Sequence, residues 1–144
     1  MTRWPVIAAA AVAAAVLAVA AVLFTADREE PVPPVTASEA LAFGGVVLPP
    51  DADVLGVRGE KGVDQLYILA VAVEAADVPT MLAESGFATS LEPGRQVYMA
   101  PIDGHAPGAD VASAQDRRGR VIREVLVDRT DPARPIVHWW LFTT

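Results

Sequence analysis

The chain has 144 residues, with 11 basic and 18 acidic side chains, a net charge of −7 and no cysteine. That length gives room for one domain and a short appendage. The missing cysteine excludes disulfide frameworks, thiol nucleophiles, lipid-bearing cysteines and Cys-based zinc sites, and the negative charge sets nucleic-acid binding aside.

The charges are unevenly placed. Arg3 is the only charged side chain before Asp27. Lys61 is the only lysine, and asparagine is absent, so there is no N-glycosylation acceptor. The Ala, Val, Gly, Pro and Arg bias matches codon usage in a high-GC bacterium.

Val6 to Phe24 is an unbroken apolar run of 19 residues, ten of them Ala. As a helix it would span roughly 28 Å, close to a hydrocarbon core. Its nine Val, Ile, Leu and Phe residues contribute about −3 to −5 kcal/mol to insertion. Trp4 and Pro5 suit the entry of such a helix. Arg3 before the run and Asp27, Glu29 and Glu30 after it predict a cytoplasmic N-terminus and the remainder outside. The alternative is a cleaved signal peptide, with Ala18-Val19-Ala20 at the cleavage pattern and a secreted product. Residues 1–26 are therefore read as transmembrane anchor or signal peptide, with residues 6–24 contacting the membrane.

Residues 27–40 read as a Pro-rich linker, extended by Pro31, Pro33 and Pro34. Residues 41–144 read as the domain, long enough for one core. Val46 to Leu48 and Asp53 to Arg58 are short strand candidates. Gly59 to Gly62 reads as the turn into a longer strand, Gln65 to Val73, apolar on both faces as a central strand would be. Asp77 to Ser85 reads as a helix with Asp77 as N-cap and Pro79 in the first turn. Gly86 is placed to end it in a left-handed conformation, with Phe87 packing back on Leu82.

The stretch LPPDADVLGVRGEKGVDQLYILAVAVEAADVPTMLAESGF, within residues 46–87, is similar to a strand–turn–strand–helix opening in small membrane-anchored or exported proteins of unknown function from high-GC bacteria. The resemblance implies no activity and no site residues.

Further on, Arg95 to Met99 is a weak strand candidate, and Pro101 to Gly108 is a loop by composition. Arg120 to Asp128 and Ile136 to Phe142 form a predicted hairpin with a proline-containing connector. The expected fold class is α+β: an N-terminal transmembrane helix, then an antiparallel sheet of four to six strands with one packed helix.

Candidate chemistry is sparse. His105 follows Asp103 by two residues, but two ligands do not make a metal site, and a loop histidine is the plainer reading. His138 shares a strand face with Ile136, Trp140 and Phe142. It is a candidate general base, though a satisfied strand histidine is commoner. No serine lies on a nucleophile elbow, and no phosphate-binding loop is present. Arg117 and Arg118, with Arg120 close by, form the only basic cluster and could hold an anion. Trp139 and Trp140 are the most suggestive pair. They point to opposite faces, and an exposed one on a terminal edge strand would anchor a partner. The binding residues expected are Trp139, Trp140, His138, Arg117 and Arg118, with no catalytic residue, metal or cofactor. The leading functional expectation is a non-enzymatic, membrane-tethered module outside the cytoplasm that binds a protein or envelope component. An accessory subunit of a membrane assembly, joined through the Ala-rich segment, ranks second. A small hydrolase using His105 or His138 ranks third.

Overall fold

The computed structural model describes residues 33–96 and 99–144. The chain from Val35 onward forms one compact unit. Helix α1, Ala37–Gly44, begins inside the stretch read as linker. Thr36 caps it, its side-chain oxygen accepting the Glu39 N–H at 3.2 Å. Thr36-Ala37-Ser38-Glu39 is the start signature of a capping box. Helix α2, Val78–Glu84, follows a single 3₁₀ turn at Ala75–Asp77. Asp77 precedes it as foreseen, but its side chain makes no capping bond.

Both helices stop in the same way. Gly45 and Gly86 each have φ of 61°, a conformation that costs glycine little. Val46 N–H reaches Leu41 O and Phe87 N–H reaches Leu82 O, each at 2.9 Å. These are two Schellman closures, of which the second was foreseen.

Six strands make one antiparallel sheet in the order β1-β2-β6-β5-β4-β3. They are β1 Asp53–Lys61, β2 Gln65–Ala72, β3 Glu92–Pro93, β4 Val111–Arg118, β5 Val121–Asp128 and β6 Ile136–Phe142. Two expectations are corrected here. The packed element is two α-helices rather than one. The C-terminal strand β6 is no terminal edge, since it pairs with β2 on one side and β5 on the other. Val46 to Leu48 is not a strand, and residues 95, 96 and 99 lie outside any strand.

The membrane expectation is corrected as well. Among the described residues no helix is long and apolar enough to cross a membrane. α1, the longest, has eight residues against the roughly twenty a bilayer core requires. The run Val6–Phe24 lies outside the described residues. The single-pass topology, the membrane and envelope partners and the tethered-module function therefore have no support in the structure.

The sheet has an inner and an outer face. The inner face packs Tyr67, Leu69, Val71, Val125, Val127, Val137, Trp139 and Leu141 against both helices. The outer face carries Ile68, Val111, Leu126 and Trp140, covered by Met99 and Ile102. Arg123 lies on the inner face and is 1% exposed. Its guanidinium donates to Gly44 O at 3.1 Å, Ser85 O at 2.8 Å and Gly86 O at 3.0 Å, the carbonyl ends of both helices. Asp116, its cross-strand partner on β4, accepts from Nε at 2.7 Å and from Nη2 at 2.5 Å. A cation at two helix C-termini also complements their dipoles. The Phe87 ring covers the guanidinium, 5.2 Å from its carbon to the centroid.

Candidate functional site

The described surface includes two concave regions of note. The first is a groove on the inner face. α2 supplies Val78, Pro79 and Leu82, and Ala75 of the 3₁₀ turn extends that wall. Thr89, Ser90 and Leu91, Val127 of β5, and Pro132 and Pro135 of the β5–β6 connector complete the lining. Its volume is about 420 Å³, within the range of small-ligand pockets. Arg129 stands at its margin. Its backbone N–H is held by Asp110 O at 2.8 Å, but among the described residues its guanidinium makes no hydrogen bond or ion pair. An exposed, unpaired cation beside an apolar wall is the one charged feature of this groove.

The second is a cleft on the outer face, lined by Leu55, Ala72, Gly104, His105, Ala106, Gly108, Asp128, Thr130, Asp131, Arg134 and Ile136. Most of its polar groups are already engaged. Asp128 accepts from Gly108 N–H at 2.9 Å, Thr130 N–H at 2.9 Å and the Thr130 hydroxyl at 2.7 Å. Burial pushes its carboxyl up, but the bonds from Thr130 and Gly108 outweigh this and leave it below the usual carboxylate value. Asp131 caps the backbone of Ala133 and Arg134. Arg134 pairs with Glu74 at 2.6 Å.

His138 lies two cross-strand pairs inward from this cleft, on the same face, between Ala70 and Leu126. It is 0% exposed. Among the described residues neither ring nitrogen has a hydrogen-bond partner. Burial lowers it to about 4, against an opposing pull from Asp128 and with further lowering from His105 and Arg95. The ring is neutral at pH 7 and is a weak base there.

The expected site residues do not converge. Trp139 and Trp140 are both 0% exposed, so neither anchors an outside partner. Trp139 meets Phe87 edge-on, 5.7 Å between centroids. Trp140 stacks near His138 and donates its indole N–H to Ala100 O at 3.0 Å. Arg117 and Arg118, adjacent on β4, point to opposite faces. Arg118 reaches Gly45 O at 3.1 Å, while Arg117 is exposed across from Ile122. They do not form one anion cradle. Ser85 is fully buried and bridges to Val47 N–H and O. Ser113 bridges Gly94 O and Gln96 N–H. Both serines therefore serve the backbone. Among the described residues no three His, Asp or Glu side chains are grouped to hold a metal.

The apolar groove was not foreseen. A scan against protein-family models and searches of curated proteins and of solved structures all give no match.

Proposed function

We propose that the domain is a small-molecule binding module whose groove beside α2 takes an amphipathic organic anion. The observation that carries this is Arg129, unpaired among the described residues and the only charged side chain lining a mainly apolar 420 Å³ groove. Val78, Leu82, Leu91, Val127 and Pro135 would bury the apolar body. Arg129 would take the carboxylate, with the Thr89 and Ser90 hydroxyls beside it. The net charge of −7 opposes anions at a distance, but screening over about 8 Å at physiological salt leaves the nearest cation dominant.

Calorimetric titration of the full chain with decanoate is expected to show saturable binding. Arg129→Gln removes a charge-assisted contact of about 1.5–3 kcal/mol, so its affinity should fall roughly 10-fold or more. Ala75→Trp should fill the groove from an exposed position and abolish binding without loss of stability. Equal binding by all three proteins would rule the groove out.

A further inference from the structure

His138 is held in a way that costs stability. A buried polar group without a partner loses about 1–3 kcal/mol relative to one that is satisfied. Here both nitrogens of one ring are unpartnered and fully enclosed. An apolar ring would fill the same space without that loss.

The cover over this part of the sheet is the segment Met99–Gly108. Its apolar contacts with the sheet come from Met99 and Ile102, both only half-buried. Polar bonds fix it at both ends, and the Arg95 guanidinium adds one to Met99 O at 3.2 Å. At one end Ala100 O accepts the Trp140 indole N–H. At the other Gly108 N–H is held by the Asp128 carboxylate. Both anchoring side chains are neighbours of His138. Trp140 is stacked near it, ring centroids 5.9 Å apart and planes 20° apart. Asp128 lies two residues along β5 from Leu126, the cross-strand partner of His138, and so on the same face.

We propose that His138 is the trigger of an acid-operated lid: protonation of its enclosed ring releases Met99–Gly108 from the outer face and uncovers the apolar bed of Ile68, Leu126 and Trp140.

The charges around the ring support this direction. β5 contributes Asp128 next to it and Glu124 beside Trp140. The covering segment contributes His105, and Arg95 approaches just before it. β1 carries Arg58 on the same face, across from Ile68. β2 offers only Ala70 alongside. An imidazolium in this pocket has two donors and no acceptor. It attracts the Asp128 carboxylate, whose Oδ2 is then shared between the ring and the Gly108 N–H, which weakens one anchor. Hydrating the fully buried ring requires the cover of this face to open, which pulls on the Trp140–Ala100 bond. Both effects favour the open lid on uptake of one proton. A ring that titrates at about 4 when enclosed and near 6.5 when freed favours the closed state fully above about pH 6.5 and loses that preference as the pH falls towards 4.

Hydrogen exchange of the full chain tests the lid residue by residue. The reporters are the His105 amide, bonded to Ile102 O, and the Gly108 amide, bonded to Asp128. Corrected for intrinsic rates, their opening should rise about 30-fold between pH 8 and pH 5, while amides of β2, β5 and β6 keep their protection. His138→Phe keeps a ring beside Trp140 and removes the proton site, so its lid opening should be flat with pH. An equal rise in His138→Phe, no rise in the wild type, or joint loss of sheet protection would each overturn the proposal. Should His138→Phe not fold, NMR titration of the His138 ring in the unaltered chain decides the matter. Titration near its ordinary value with the lid amides still protected would refute it.

Discussion

Arg123→Met should lower the unfolding free energy by about 3–5 kcal/mol, the usual cost of breaking a buried ion pair from one side. The substitution leaves the Asp116 carboxylate, 8% exposed as a side chain, without its cation. It also strips the donors from Gly44 O, Ser85 O and Gly86 O. These carbonyls lie at two helix ends that the Schellman bonds close only in part. Typical domains hold about 5–15 kcal/mol in all, so the loss takes a large share of the total and should move the urea midpoint well down. Urea melts followed by circular dichroism read this directly. Asp116→Ala should cost a comparable amount, because it leaves the guanidinium buried and unpaired. A double variant, Arg123→Met with Asp116→Leu, should recover part of the loss. Wild-type stability in Arg123→Met would show that the helix ends are held by packing alone.

Trp139→Ala should cost about 3–5 kcal/mol, as large-to-small changes in a close-packed core do. Trp139 sits under Phe87 at the centre of the inner cluster. Conservative changes separate the two tryptophans more sharply. Among the described residues the Trp139 indole N–H has no partner, so Trp139→Phe removes an unsatisfied donor along with some volume. Trp140→Phe removes a donor that holds Ala100 O. Trp140→Phe should therefore be the more damaging by about 1 kcal/mol. Guanidinium melts of the two Phe variants measure the difference. The reverse order would mean that volume, and not the hydrogen bond, sets the cost.

The elements legible from sequence were those whose apolar pattern is continuous. β2 is buried on both faces from Tyr67 to Ala72, and its Val, Ile and Leu content shows it. The β5–β6 hairpin reads equally well. α2 was legible from its ending, where Gly86 and Phe87 close a Schellman motif. β4 was missed because Val111-Ala112-Ser113-Ala114 is buried through small side chains and the rest is polar. Small residues carry little strand signal on their own. α1 was missed because the prolines before it suggested an extended spacer, although Thr36 and Glu39 mark its start. The two tryptophans were misplaced for a topological reason. Ile136–Phe142 is apolar on both faces, as β2 is, but its place as the last strand in the chain suggested an edge, and its pairing with β2 and β5 is what covers both faces. The groove beside α2 is likewise assembled from three separated segments, 75–82, 89–91 and 127–135, and no one of them carries its shape.

The position of β6 also orders events during synthesis. The hairpin β1–β2 and the hairpin β4–β5 share no strand pairing until β6 enters between them. β6 is the last of the six strands to leave the ribosome. Until then β2 presents an unpaired edge of eight largely apolar residues, a template for pairing with another nascent chain. The joining contacts run from Leu66 to Phe142 and from Ala72 to Ile136. Such long loops must close before any of these bonds form, which slows the final step. A chain stalled before Ile136 is therefore two hairpins without a common core, and its handling by chaperones rests on how long β2 stays uncovered.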